Sequence, residues 1–362
     1  MAGIYVHIPF CHSKCVYCDF FSTPNLTDAD LLIEALIKEY HRRAAELTDK
    51  VETLYFGGGT PSIIAPDRLA RLCKALPLDD VREFTIEANP EDVNQTSVRA
   101  WRDMGVNRVS MGIQSFDDTQ LRAIGRRHSA DDARRAINCL LDGGISNISC
   151  DLIYGLPDQT IPSWERSLTE LLSYRLPHIS AYCLSYEPGT ALYAKMTAGK
   201  IEPTDDSVLD RMYKVLCKAT ASAGYEHYEI SNFALPGMRS RHNSSYWNET
   251  PYLGLGPGAH SFDGVVRRYN TIDLKTYVKT ADITVIDEET ADQRFNDKLI
   301  TALRTSDGLD VSTLPADRAD YIIKACSPFI SNGPMTITDS RLRINEEFWR
   351  RADAILRELI VV

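Results

Sequence analysis

No stretch of this 362-residue sequence approaches the roughly 18 consecutive apolar residues needed to span a bilayer. The opening residues, Met1 to Phe10, also lack the basic start and apolar run of a secretory signal. Positive charge is short as well: 40 Lys and Arg stand against 50 Asp and Glu, a formal net charge of -10. Non-specific attraction to phosphate backbones or anionic lipid is therefore not expected. Low-complexity tracts and fixed-period repeats are missing. These absences point to a soluble, cytoplasmic protein with no nucleic-acid partner and no transmembrane segment, long enough for one large domain and a smaller one. Paired cysteines are scarce too. Nine is an odd count, and Cys73, Cys139, Cys150, Cys183, Cys217 and Cys326 are scattered singly. In a reducing compartment that favours free thiols and one metal cluster over a disulfide framework.

The other three cysteines lie close together. HIPFCHSKCVYCDF, His7 to Phe20, places thiols at Cys11, Cys15 and Cys18. Thiolate is a soft ligand for zinc or iron-sulfur clusters, and the spacing C-x3-C-x2-C lets one loop hold three corners of a cuboidal cluster. The fourth iron then keeps an open coordination position, where a small molecule can bind by its amino and carboxylate groups and receive an electron. The alternative is a zinc ion completed by His7 or His12. Structural zinc sites usually draw two ligands from each of two separated knuckles, and no second pair is present. A dithiol redox motif at Cys15 and Cys18 leaves Cys11 unexplained.

Short β-branched and aromatic runs recur along the first half as IYVHI, VETLYFGG, EFTIEA, NRVSMGIQS, NISCDLIYGLP and HISAYCLSY. Segments with helical spacing lie between them, the first through Leu32, Ala35, Leu36 and Tyr40, and another follows the sixth run from about Ser207 to Ala223. Alternating strands and helices imply parallel strands joined by right-handed crossovers, and these strands read as apolar on both faces. Glu87, Gln114 and Asp151 gather toward the carboxyl ends of successive strands, where such folds keep their sites. After about Phe233 the stretch PGMRSRHNSSYWNETPYLGLGPGAH, rich in glycine and proline, reads as a connector with aromatic anchors. Helical patterns near Asp292–Leu303 and Pro315–Ala325, then a hairpin at PMTITDSRLRIN and a closing helix, suggest a small helical unit with a wing.

These residues carry a resemblance. C-x3-C-x2-C just after a first strand, with Tyr17 before the last cysteine, is similar to the radical S-adenosylmethionine (SAM) enzymes. GGGTPS (Gly57 to Ser62), TIEANP (Thr85 to Pro90), GIQSF (Gly112 to Phe116) and DLIYGLP (Asp151 to Pro157) resemble the oxygen-independent coproporphyrinogen oxidase branch of that superfamily. The resemblance implies an α/β fold, an incomplete (β/α)6 TIM-like barrel with a small C-terminal helical and winged domain. It divides the chain into a core at 1–235, a connector at 236–275 and a C-terminal domain at 276–362. It further implies a [4Fe-4S] cluster on Cys11, Cys15 and Cys18, and SAM contacts at Gly58, Gly59, Thr60, Glu87, Gln114, Arg126 and Asp151, with Tyr5 and Tyr17 alongside. Arg127 competes with Arg126 for its place.

One departure from that branch is instructive. The oxidases resemble C-x3-C-x2-C-x-C, with a further cysteine where this chain has Phe20, and they carry an arm before the first strand. Both differences resemble the HemW-type haem chaperones, and RHNSSYWN, Arg241 to Asn248, is similar to the H-N-x-x-Y-W motif of that family. The resemblance implies haem as a further cofactor with His242 as an axial ligand, exposed in a flexible connector. Tyr246 and Trp247 would lie against the porphyrin and Arg239 or Arg241 would meet its propionates. The implied partners are haem and respiratory haemoprotein acceptors, and a homodimer is allowed for. His7, His128, His178, His227 and His260 read as packing or solvent-facing residues. The rival readings are a coproporphyrinogen III oxidase and a radical SAM enzyme acting on another substrate.

Overall fold

The computed structural model describes residues 1–361. Six strands, β1 (Ala2–Ile8), β2 (Val51–Gly58), β3 (Glu83–Ala88), β4 (Arg108–Gln114), β5 (Asn147–Tyr154) and β6 (His178–Cys183), pair in parallel in sequence order. Helices α1 (Ala29–Arg43), α2 (Pro66–Cys73), α3 (Gln95–Asp103), α4 (Asp118–Ala123), α5 (Ala130–Asp142), α6 (Ile161–Ser173), α7 (Ala191–Thr197) and α8 (Asp206–Ser222) alternate with them. Local chemistry sets several starts: Asn94, Ser129 and Thr160 each form a capping box at the head of α3, α5 and α6, satisfying backbone donors that the first turn leaves open.

The strands are not apolar on both faces. Ile4, Val6, Ile8, Leu54, Phe56, Phe84, Ile86, Val109, Met111, Ile148, Leu152 and Ile179 join one apolar core with the helices. The residues between them are polar yet buried: Thr53, Glu83, Thr85, Arg108, Ser110, Ser149, His178 and Ser180. Because alternate side chains point to opposite faces of a strand, the six strands turn an apolar side toward the helices and a polar side toward the concave interior. The period-2 alternation that both-faces-buried strands lack was present in the sequence.

The curved sheet does not end at six strands. On the β6 side it adds the antiparallel strands β8 (Asn232–Ala234) and β7 (Glu226–Glu229). On the β1 side it adds β9 (Tyr252–Leu255), parallel to β1, then the antiparallel β10 (His260–Phe262), β11 (Arg267–Asn270) and β12 (Thr284–Asp287). The twelve strands run in one row with β12 and β7 at its two ends, so the barrel stays open. The segment 236–275 is thus no loop-rich connector. It holds α9 (Arg241–Trp247) and three strands of the main sheet. Gly254 permits this, because a Cβ there would meet the His260 carbonyl oxygen at 2.0 Å. A buried pair secures the extension: Arg43 donates to Glu39 (2.9 Å), the Gly254 carbonyl (3.1 Å) and Ser261 (3.0 Å), while Glu39 accepts from Tyr277, Asn270 and the Gly256 amide.

After α10 (Leu274–Thr280) and β12, the chain forms α11 (Ala291–Ala302), β13 (Leu309–Asp310), α12 (Ala316–Ser331), β14 (Met335–Thr338), β15 (Arg341–Ile344) and α13 (Ala352–Arg357), with the short strands ordered β13-β15-β14. The expected hairpin is β14–β15, turned at Asp339 and Ser340, both at positive φ. Helix α12 runs six residues beyond the expected end at Ala325 and contains Pro328.

Candidate functional site

At the carboxyl end of the barrel the chain leaves β1 and enters the cysteine loop. Gly59 and Thr60 extend β2 alongside it, their amides donating to the carbonyls of Ile8 (2.9 Å) and Phe10 (2.6 Å). Only glycine fits there: Gly58 sits at φ 111°, and a Cβ on Gly59 would lie 2.4 Å from the Phe10 carbonyl oxygen. The loop is held from below by its apolar residues. Val16 exchanges backbone hydrogen bonds with Ile124 and Leu192, and Val16 and Tyr17 pack on a separate cluster of Ile124, Ile153, Leu156, Leu184 and Leu192. Tyr17 is therefore an anchor of the loop, at a layer where its ring also borders the cavity.

That cavity, about 460 Å³, is lined by Cys11, Cys15 and Cys18 together with Gly58, Gly59, Thr60, Glu87, Gln114, Arg126 and Asp151. The three cysteines and all seven positions singled out as SAM contacts therefore meet in one place, and Tyr17 joins them. Arg126 rather than Arg127 faces it; Arg127 is exposed outside. Tyr5 lies a layer deeper, its hydroxyl 3.1 Å from His7 Nδ1. His242 is elsewhere.

The cavity is chemically unfinished. Gln114 Oε1, Asp151 Oδ1 and Arg126 Nε are buried without hydrogen-bond partners, a costly state for three groups in one site unless a polar ligand meets them. Gln114 also adopts φ 68° at a bulge in β4, the kind of strained backbone that surrounding structure must impose. Glu87 accepts from Tyr55 (2.8 Å) and the Gly58 amide (3.0 Å). Burial, with Asp151 nearby, nevertheless pushes its pKa up to about 7, and burial raises Asp151 to about 6. Arg126 donates to Asn89 (2.6 Å), the Gly112 carbonyl (2.7 Å) and the Cys15 sulfur (3.5 Å). This places a fixed positive charge beside one of the three thiols.

The three sulfurs do not gather as they would around one ion. Among the described residues, Cys11, Cys15 and Cys18 do not belong to a group of three or more ligand atoms that all lie within 4.8 Å of one another. The histidines of the zinc alternative are engaged otherwise: His7 bonds Tyr5 and the Phe21 carbonyl, and His12 bonds Asp92. Three thiols on one loop, with no second pair of ligands beside them, suit three irons of a cubane better than a single zinc. Phe20 stands 65% exposed at the rim.

Sequence reasoning missed Asn89, Ser110, Tyr182 and Cys183, which also line the cavity. Asn89 and Ser110 were findable, the first within TIEANP and the second on the inward register of β4.

His242 departs most from expectation. It lies on α9, fully buried, at the opposite end of the barrel from the cysteines. Its Nδ1 bonds Thr53 Oγ1 (2.9 Å), its Nε2 bonds the Tyr246 hydroxyl (2.9 Å), and its ring stacks on Tyr55 and Tyr5. Glu83 accepts from the backbone amides of Arg241 (3.0 Å) and His242 (2.9 Å), fastening the helix start by a carboxylate. Burial lowers the imidazole pKa to about 3. An imidazole with both nitrogens bonded and no exposure offers nothing to an iron in this conformation. The expected exposed connector fails because the polar interior of the barrel supplies the partners that bury it.

The chain matches the Radical SAM superfamily over residues 5–171. It is 36% identical to the haem chaperone HemW of Lactococcus lactis, over 84% of this chain and 82% of the relative. It is 34% identical to that of Bacillus subtilis, over 85% of each, and 33% identical to that of Mycobacterium tuberculosis, over 99% and 94%. Among solved structures, coproporphyrinogen III oxidase (HemN) from Escherichia coli, a radical SAM enzyme, superposes with a TM-score of 0.83 over 99% of this chain and 90% of that one, at 23% identity, a likeness of fold. An open parallel barrel with three thiols at its carboxyl rim is the architecture of the radical SAM class. Within that class the chain belongs to the HemW family.

Proposed function

We propose that this protein is a haem chaperone that holds a [4Fe-4S] cluster on Cys11, Cys15 and Cys18, binds SAM in the adjoining cavity, and passes haem to respiratory haemoproteins. The cavity with its three unpartnered polar atoms beside three thiols carries the cofactor part of this reading. The names of the relatives support the haem part. The cluster supplies an electron and an open iron for the amino and carboxylate groups of SAM. The protein's own groups do the rest. Gly58 and Gly59 line the cavity with bare backbone, Glu87 can accept a hydrogen bond from the ligand's amino group, and Arg126 Nε is free to meet a carboxylate. Gln114 and Asp151 can accept from hydroxyl groups.

Glu87 makes this binding pH-dependent. Its folded pKa of about 7 leaves the carboxyl largely protonated at pH 6, when it is a weak acceptor for the amino group, and ionised at pH 8. SAM affinity measured calorimetrically should rise from pH 6 to pH 8, because Glu87 ionises over that range and because the ligand's amine, ordinary pKa about 8, gives up its proton more readily to bind iron. Glu87→Gln should weaken binding and reduce the slope to that of the amine alone; an unchanged slope in that variant removes Glu87 from recognition of the amino group.

The test of function is direct. Cluster-loaded protein with SAM and reductant should form no protoporphyrinogen from coproporphyrinogen III under anaerobic conditions, yet should bind haem and surrender it to an apo-haemoprotein. Turnover at the rate of a true oxidase would make the protein an enzyme of porphyrin synthesis and end the chaperone reading.

A further inference from the structure

Away from the cavity, α8, β7 and the turn Glu346–Arg351 bring three metal-ligating side chains together. Cys217 Sγ lies 3.9 Å from His227 Nδ1, and the same nitrogen lies 2.8 Å from Glu346 Oε1. All three atoms fall within 4.8 Å of one another, and no other such group occurs among the described residues. We propose that Cys217, His227 and Glu346 form a binding site for a divalent transition-metal ion of borderline softness, Zn²⁺ being the best suited, which clasps the C-terminal unit to the barrel.

The donor set fits that ion. A thiolate and a carboxylate together carry two negative charges, which a divalent cation neutralises, and the imidazole completes three protein ligands with one position left for water. Ligands sharing one zinc at bond lengths of about 2.0–2.3 Å sit roughly 3.3–3.8 Å apart. The sulfur is already near that spacing, and Glu346 is exposed and needs only a small outward movement. The imidazole is held rigidly. Its ring stacks on Phe233 at 4.0 Å and meets the edge of Trp349 at 4.4 Å. His227 Nε2 is buried without a partner, so Nδ1 is the ring's one working nitrogen and it faces both other donors. The Tyr213 hydroxyl donates to the Glu346 carbonyl at 2.9 Å, fixing the turn on α8.

The ligands come from two parts of the chain: Cys217 and His227 from the helix and hairpin that follow β6, and Glu346 from the segment after the wing. Metal binding releases the thiol proton and adds a cross-link between those parts. A ligand bound only by the folded state raises the melting temperature.

The experiment uses anaerobic, cluster-loaded protein titrated with Zn²⁺ against a chromophoric chelator. Zinc X-ray absorption then reads the coordination, because zinc that has invaded an empty cluster site would show three sulfurs. The expected result is one zinc per chain with a single sulfur ligand at about 2.3 Å, and a zinc-dependent rise in melting temperature. In Cys217→Ser and Glu346→Gln the zinc affinity should fall more than about a hundredfold, beyond the loss typical of an outer-shell partner, while iron content stays constant. A melting curve of each variant without zinc confirms that it folds. Failure of the folded wild type to retain stoichiometric zinc, or undiminished affinity in folded Cys217→Ser, would overturn the proposal and leave His227 and Glu346 as a plain hydrogen-bonded pair.

Discussion

Replacing Cys11, Cys15 and Cys18 together by alanine should take anaerobically reconstituted protein from about four irons per chain to none, and SAM binding should vanish with them. The fold should survive. The loop's position depends on Val16 and Tyr17 docking on Ile124, Ile153 and Leu192, and on Gly59 and Thr60 pairing with Ile8 and Phe10, none of which needs a cluster. Cys15 and Cys18 are only half-buried, so their truncation opens little core volume. Melting temperature of the cluster-free forms should therefore agree between wild type and triple variant, and the circular-dichroism spectrum should not change. Haem titration supplies the separating measurement. If haem and cluster occupy different places, the triple variant should bind haem as the wild type does; a parallel loss of haem would mean that the cluster loop itself forms the haem site. Stoichiometric zinc with no iron in anaerobic wild type would refute the cluster assignment altogether.

How much of this could be read from the chain depends on how locally each feature is encoded. The thiols, the glycines after β2 and the carboxyl-end positions Glu87, Gln114 and Asp151 are set by motif and by strand register, and the cavity assembles them. Resemblance did part of that work, and the choice between Arg126 and Arg127 rests on the structure, where Arg126 lines the cavity and Arg127 is exposed. The expectation of two apolar faces fails because polar side chains alternate with the apolar ones along these strands. In fact Thr53, Thr85, Ser110 and Ser149 mark a continuous polar lining.

The segment after Phe233 failed for a different reason. Strands of three or four residues carry too few side chains to show a period, and the glycines that let β9 and β10 touch look like loop residues in composition. Long-range partners decide them: β9 pairs with β1, some 250 residues earlier in the chain. The same is true of α9, whose seven residues could not hold a helix alone and which forms because Glu83 caps it and the barrel accepts His242.

His242→Ala should therefore act first on stability. The substitution removes a fully buried ring from between Tyr55, Tyr5 and Tyr246 and takes away the partner of Thr53 Oγ1 and of the Tyr246 hydroxyl. Together the cavity and the two broken hydrogen bonds should cost about 2–4 kcal/mol at pH 7 in chemical denaturation. Acid provides an independent check on the burial. The folded pKa of about 3 lies below the ordinary value of 6.5, so between those limits the unfolded chain binds a proton that the folded chain refuses, and wild-type stability falls as pH drops below 6.5. At pH 5 that loss should be about 2 kcal/mol, and the variant does not suffer it, so the gap between the two proteins should narrow by that amount. Glu87 titrates in the opposite sense over the same range but is common to both proteins and cancels in the difference. Haem binding should respond otherwise. Because both imidazole nitrogens are engaged inside the barrel, the Soret maximum and haem affinity of folded His242→Ala, measured well below its melting temperature, should match those of the wild type. A shifted Soret band in that folded variant would show that α9 lifts from the barrel to present His242 to iron, breaking the bonds to Thr53, Tyr246 and Glu83 as haem is taken up.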